Sequence, residues 1–283
     1  MPLTDGDTAS ACAAPAGGRA GLGGRRGAHG PPSAIPWTLL LEVGGRSGAE
    51  NMAVDVELLE RADRTGEAFV RFYRFDPPCL SLGRNEAAGG YDRAAITRLG
   101  VDVVRRPTGG AAVWHEHDVT YAVAAPIAAF GGLRQAYRAI HERLAAALRG
   151  LGADATLALH RPSPPSTALH RPASCFATPV GGEVLVRGRK VIGSAQARRG
   201  KAFLQHGSIL LDGSQEKIRV VSRDPQVGGE TTLAAALGRT VSFEEVVDAV
   251  VAAWDDDVTS TALRRPPPPS SALFLDPAWT WRR

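Results

Sequence analysis

Apolar and polar positions along the chain switch between two periods, and the switches divide it into elements. A strand begins at Trp37 in WTLLLEV. Met52, Val56, Leu59 and Ala62 then recur at helical spacing, which predicts an amphipathic helix ending near Gly66. AFVRFYRF (68–75) and CLSLG (79–83) read as strands separated by Pro77-Pro78, followed by a short helix over 92–99 and a strand VDVVRRP (101–107). DVTYAVAAP (118–126) is a further strand, and Leu133, Tyr137, Ile140, Leu144, Leu148 and Leu151 line one face of the clearest helix. EVLVRG (183–188), KVIGSAQARR (190–199) and AFLQHGSILLD (202–212) predict a meander that turns at Gly188 and Gly200. SFEEVVDAVVAAW (242–254) predicts a helix with Ser242 as N-cap and Glu245 at the capping-box position.

This order is α+β: a mixed, mostly antiparallel sheet flanked by helices. It has no regular βαβ alternation, which argues against a nucleotide-binding Rossmann sheet. Residues 1–35 are rich in Gly, Ala, Pro and Arg without an apolar period and read as a disordered leader. Residues 36–256 read as one domain, interrupted by a Pro/Ser loop at 158–172 in which ALHRP occurs twice. Residues 257–283, with four consecutive prolines, read as an irregular tail.

Composition changes the picture in three places. Lys+Arg 33 against Asp+Glu 29 gives a net charge of +4, which favours an acidic partner. The arginines are scattered, with no basic block interleaved with aromatics, so no nucleic-acid partner is expected; an acidic carrier protein fits the charge. The cysteines, Cys12, Cys79 and Cys175, form no CxxC pair or metal-type spacing, and an odd count without a signal peptide points to free thiols in a reducing, cytoplasmic setting. No run of ~18 apolar residues is present, so no membrane span is expected. His160 and His170, in the duplicated loop, lack acidic or cysteine companions and read as solvated rather than as metal ligands.

Three segments could carry chemistry. In RRPTGGAAVWHEHDVTY (105–121), consecutive glycines let the backbone approach a ligand and aim N–H groups at it, though a plain hairpin turn fits the same residues. Arg105 and Arg106 alternate sides of a strand, so one can face a ligand while the other faces solvent. Neither common phosphate-binding glycine motif is present. In KVIGSAQ (190–196), Lys190 could polarise a carbonyl, hold an anion or favour a nearby thiolate, or sit solvated at a strand edge. His206, in LQHGSILL, reads on spacing as a structural hydrogen-bonding histidine. Cys175, in PASCFATP, lies in a loop and is either an inert thiol or, with a lysine at hand, a nucleophile. Cys79 falls inside a strand and Cys12 in the leader, so both are poorer candidates.

Taken together and in order, NMAVDVELL (51–59), PPCLSLGRNE (77–86), RRPTGGAAVWHEHDVTYAV (105–123) and GRKVIGSAQARRGKAFLQHGSILLDG (188–213) resemble the lipoate/octanoate branch of the biotin/lipoate ligase superfamily. CFATP with GRKVIGSAQ is most similar to its Gram-positive type of octanoyltransferase, whose cysteine and lysine fall on Cys175 and Lys190. The resemblance implies an acyltransferase that moves octanoate from octanoyl acyl carrier protein, through a thioester on Cys175, to a lysine of a lipoyl domain or of the glycine-cleavage H protein. It implies Arg106, Gly109, Gly110, Val113, His115, Tyr121, Gly193, Ser194, Ala195, His206 and Gly207 as substrate-binding positions, with the acyl tunnel lined by Val113, Tyr121, Ile192 and Ala195. The oxyanion would be held by the Gly109-Gly110 hairpin and backbone N–H groups near Lys190. No metal or cofactor is called for.

Two positions depart from the pattern. Ala111 stands where ligases often have Gly and the transferase subgroup Arg, and Val180-Gly181-Gly182 replaces the usual Ser and aromatic before Glu. The segment after the domain is shorter than the accessory domain of many two-step lipoate ligases. The alternatives are an ATP-dependent lipoate–protein ligase, in which Cys175 is incidental, and a non-catalytic carrier-binding paralogue.

Overall fold

In the computed structural model the described residues are 36–159, 176, 181–223, 228–254, 258–259 and 270–282. They lie in one unit spanning 34–283. The leader, Cys12, Cys175, His160 and His170 lie outside the described residues.

The main sheet has six strands: β1 (Trp37–Leu41), β2 (Ala68–Tyr73), β6 (Asp118–Pro126), β10 (Ile192–Arg199), β11 (Ala202–Leu210) and β12 (Val258–Thr259), in the order β10-β11-β6-β2-β1-β12. β1 runs parallel to both β2 and β12; the other pairs are antiparallel. A second sheet places β3 (Cys79–Leu82) between β4 (Asp102–Arg105) and β5 (Val113–His115), and a third joins β7 (Ala155–Leu157), β8 (Val184–Val186) and β9 (Arg189–Lys190). The expected mixed, mostly antiparallel α+β arrangement is what the chain forms. The meander is divided, however. The strand expected over 190–199 breaks at Val191, leaving Lys190 in the small sheet and Ile192 in the large one.

Helices cover both faces of the large sheet. Along β6, Val119, Tyr121, Val123 and Ala125 point into one core with α3 (Leu133–Gly150) and α6 (Phe243–Ala252), while Ala122 and Ala124 point into another with α1 (Gly48–Thr65). This is the period of two of a strand buried on both sides. The other helices, α2 (Arg93–Arg98), α4 (Ile218–Val221) and α5 (Leu233–Leu237), are short.

α1 starts with a reciprocal capping box, Ser47 with Glu50, and ends at Gly66 in the left-handed conformation. Its buried stripe holds Met52, Leu58, Leu59 and Ala62 but also Asp55, while Val56 is only half-buried. In α6, Ser242 caps the N-terminus as expected, but the Glu245 carboxylate goes to Arg239. The tail expected to be irregular forms α7 (Ala272–Leu275) and α8 (Pro277–Thr280), with Phe274 buried against the α1 core. No helix among the described residues is long and apolar enough to cross a membrane.

Candidate active site

A pocket opens at the end of the main sheet where β3, β5, β10 and β11 meet, with about 340 Å³ of atom-free space that includes open solvent. Met52, Tyr73, Phe75 and Val113 supply its apolar wall; Ser81, Arg106, His115, Thr120, His206 and Ser208 supply polar groups, and Gly193, Ser194, Ala195 and Gly207 the edge.

Arg106 organises the glycine hairpin. Its guanidinium donates to the Ser81 carbonyl at 2.6 Å, to Ser81 Oγ at 2.9 Å, and to the carbonyls of Gly109 and Ala111 at 3.0 Å each. Only the backbone of residue 111 is used, so Ala111 serves this clamp. Gly83 lies against the hairpin so closely that a Cβ there would stand 1.8 Å from the Gly110 carbonyl oxygen, a space only glycine leaves. Glu86 fastens the same turn, accepting from Gly83 N at 2.8 Å and Ala112 N at 3.2 Å. Arg105 does not face solvent as the strand alternation suggested. It is fully buried and donates to the carbonyls of Gly83, Glu86, Trp279 and Thr280.

Two histidine–aspartate pairs stand behind the polar wall. His206 lies between Thr108 Oγ1 at 2.6 Å and Asp55 Oδ2 at 2.8 Å, and Asp55 also accepts from Arg71 and from the Tyr73 hydroxyl. Burial would raise the Asp55 pKa, but the His206 hydrogen bond and the Arg71 charge hold it below the usual carboxylate value. Burial lowers His206, against the pull of Asp55, so the ring is neutral and accepts from Thr108 at Nε2. His115 contacts Ser81 Oγ at 2.8 Å through Nε2 and Asp118 at 2.9 Å through Nδ1.

A third histidine was not expected at all. His141, on α3, is buried; Nδ1 meets the Gly182 carbonyl at 2.8 Å and Nε2 meets Ser194 Oγ at 2.8 Å. Desolvation pushes its pKa down to about 3. A carbonyl only accepts, so Nδ1 carries the proton, Ser194 donates to Nε2, and Tyr121 donates to Ser194 at 2.7 Å. Tyr121, its pKa pushed up to about 12 by burial, therefore acts on Ser194 from inside the core rather than lining the pocket. Ile192 likewise points into that core, while Val113 and Ala195 do line the pocket. Gly207 lets β10 and β11 close here: a Cβ would meet the Gly193 carbonyl and Ser194 Oγ at 2.5 Å.

Lys190 is buried, not a solvated edge residue, and its ammonium donates to Glu183 Oε1 at 2.5 Å. Its backbone N–H goes to the Gly229 carbonyl and that of Val191 to the Val184 carbonyl, so neither of these amides is left to hold an oxyanion. Lys190 Nζ lies 5.5 Å from the ring centroid of Phe176, the residue that follows Cys175. The Phe176 ring packs with Val113 and Leu210 and against Gly193, where a Cβ would come to 3.0 Å. Cys79 is fully buried, and burial pushes its thiol well above the usual value, which removes it as a nucleophile. Among the described residues no cluster of His, Cys, Asp and Glu could hold a metal ion.

The chain is similar to known proteins in sequence and in fold. The lipoyl protein ligase A/B catalytic domain matches residues 47–255. A protein named octanoyltransferase LipM from Kyrpidia tusciae is 43% identical over 195 residues, covering 66% of this chain and 70% of that protein. One of the same name from Symbiobacterium thermophilum is 39% identical over 233 residues, covering 76% and 84%. Among solved structures, lipoate-protein ligase A bound with ATP superposes with a TM-score of 0.67 at 20% identity, covering 82% of this chain and 90% of that one. The bipartite lipoate protein ligase of Thermoplasma acidophilum gives 0.61 at 21%, covering 82% and 88%. The match spans the hairpin, the pocket and the strand that carries Lys190, and the chain belongs to the lipoyl protein ligase A/B catalytic-domain family.

Proposed function

We propose that this chain is an octanoyltransferase of protein lipoylation that carries the acyl group as a thioester on Cys175, with Lys190 beside it. The observation that carries this reading is Lys190 buried near Phe176, which packs on the pocket residues Val113 and Gly193 and is one residue from the cysteine of CFATP, in a chain whose relatives are named octanoyltransferases. The Cys175 thiolate attacks the thioester of octanoyl acyl carrier protein and expels the carrier sulfur as a thiolate. The lysine amine of a lipoyl domain or H protein then attacks the acyl-enzyme, forms the amide and returns the thiolate. Net charge +4 suits an acidic carrier.

The Glu183 carboxylate favours this chemistry over adenylation. At 2.5 Å from Lys190 Nζ it offsets the ammonium charge and would repel an adenylate phosphate held there. A thioester carbonyl carries no such charge. Intact mass after mixing with octanoyl carrier protein, without nucleotide, tests the reading. One octanoyl adduct is expected on the parent and none on Cys175→Ala. Transfer that needs ATP, or that continues at full rate in Cys175→Ala, would place the chain with the ligases. Carrier binding without an adduct would make it a non-catalytic paralogue.

A further inference from the structure

Ser81, His115 and Asp118 form a directed chain of hydrogen bonds on the pocket wall. The register of the second sheet sets it: Ser81 on β3 pairs with Val113 on β5, two residues before His115, and the tight turn into β6 brings Asp118 under the ring. Asp118 accepts from His115 Nδ1 at 2.9 Å, Thr120 Oγ1 at 2.8 Å and Ser208 Oγ at 2.6 Å. Burial would raise its pKa, but the His115 interaction and these hydroxyls bring it below the usual value, so it is a carboxylate that can only accept. His115 Nδ1 therefore carries a proton, and in the neutral ring Nε2 is the acceptor for the Ser81 hydroxyl, 2.8 Å away. The Phe75 ring, stacked on His115 at 4.1 Å, fixes its plane.

That order of donors is the order found in acyl-transfer triads. Here the serine is held differently. Arg106 Nη1 donates to Ser81 Oγ at 2.9 Å, which occupies one of the two lone pairs and leaves the other for a donor in the pocket. A serine oxygen with a guanidinium on one side and a base on the other is suited to pass a proton on. Ser81 is closed to bulk water yet borders the pocket. Phe176, the neighbour of Cys175, packs on Val113, the register partner of Ser81.

We propose that Ser81 and His115, with Asp118 as the positioning residue, form the proton relay for the attacking amine in the second half-reaction. The inference rests on the thioester reading above. The neutral amine nitrogen bonds to the acyl carbon, the C–S bond breaks, and its electron pair leaves on Cys175 Sγ. The proton released from nitrogen passes to Ser81 Oγ as the Ser81 proton passes to His115 Nε2, and Asp118 balances the imidazolium. The first half-reaction exchanges one thiolate for another and needs no such transfer.

The experiment separates the two halves in Ser81→Ala and His115→Asn. Acylation by octanoyl carrier protein is followed by intact mass, and discharge of the isolated octanoyl-enzyme to a lipoyl domain is timed in a second step. Acylation is expected to persist, while discharge slows on the order of 100-fold in both variants, the usual worth of a positioned acid–base group. Hydroxylamine, neutral near pH 7, should discharge parent and variant acyl-enzymes at similar rates, which shows the same thioester in each, and an unchanged acylation rate excludes a merely distorted pocket. Ser81→Ala removes a single hydroxyl and carries the test alone if His115→Asn does not fold. Discharge at the parental rate in Ser81→Ala, or an equal fall in both halves, overturns the relay. No octanoyl-enzyme in the parent, or an adduct that survives Cys175→Ala and vanishes in Ser81→Ala, refutes the thioester on Cys175 instead.

Discussion

Replacing Lys190 by Met should cost both stability and reactivity, and the two losses should separate on changing Glu183. The side chains of Lys190 and Glu183 are 1% and 4% exposed and meet at 2.5 Å. Removing one partner strands a buried charge, which costs about 3–5 kcal/mol. For a unit of this size ~1 kcal/mol moves Tm by roughly 2–4 °C, so Lys190→Met should melt about 6–20 °C lower. The double variant Lys190→Met/Glu183→Leu removes both charges and should return to within ~1–2 kcal/mol of the parent, because an apolar pair of similar volume is often neutral or better. Neither protein should form the acyl-enzyme.

Reactivity adds the sign of the field. In Lys190→Met the carboxylate remains and opposes the Cys175 thiolate, so alkylation by iodoacetamide should shift to higher pH. In Glu183→Gln the ammonium remains without its counter-charge, so alkylation should shift to lower pH; each pH unit reports ~1.4 kcal/mol of preference. Calorimetry and alkylation profiles on the same four proteins read stability and reactivity separately. A Lys190→Met protein that melts with the parent would refute the buried pair. Superimposable alkylation profiles would refute Lys190 as the neighbour of the thiol.

Three further outcomes are expected. Cys79→Ser should keep the acyl adduct that Cys175→Ala loses, while losing about 1–3 kcal/mol in urea because a hydroxyl replaces a fully buried thiol; loss of the adduct would reinstate Cys79. Stability should fall from about pH 6.5 downward, by up to ~1.4 kcal/mol per pH unit for each buried neutral histidine. The folded pKa values of His141, near 3, and of His206 lie below the unfolded value, so the unfolded chain takes up protons first; Asp55 and Asp118 add their loss only below their ordinary carboxylate range. Urea midpoints that stay level from about pH 7 to 5 would contradict this. Truncation after residue 269 should cost about 3 kcal/mol or more, since it takes away the carbonyls of Trp279 and Thr280 that accept from buried Arg105. An unchanged urea midpoint would show that α8 does not hold Arg105.

Periodicity identified the long elements because each has one dominant environment. α3 and β6 were legible to within a residue or two, one from its apolar stripe and the other from its mostly apolar run. β5 was not, because three residues carry no period and its partner lies more than thirty residues away on β3. The break at Val191 was hidden for a related reason: KVIGSAQARR is good strand sequence throughout, and only the packing of two sheets decides where it divides. The tail looked irregular because of its prolines, whereas Phe274, Trp279 and the carbonyls around Thr280 find partners on α1 and Arg105 that no local pattern encodes.

At the site, legibility followed chemistry rather than position. Glycine pairs, a lone lysine in an apolar strand and a loop cysteine stand out by residue type, whereas Arg106 and His206 were singled out as binding positions only by the family resemblance. What turns them into a site was carried by residues on unremarkable segments. Asp55 and His141 did leave a trace: each is a titratable group on the apolar face of a long helix, four residues from Leu59 and one from Ile140 respectively. Such a position is stable only if a partner waits across the core, His206 in one case and Gly182 with Ser194 in the other. Glu183 left none, since a carboxylate before VLV reads as the solvated start of a strand until β9 folds back and puts Lys190 against it. The chain thus supplies its lysine with a counter-charge seven residues away, a pairing made only when β9 folds back on β8.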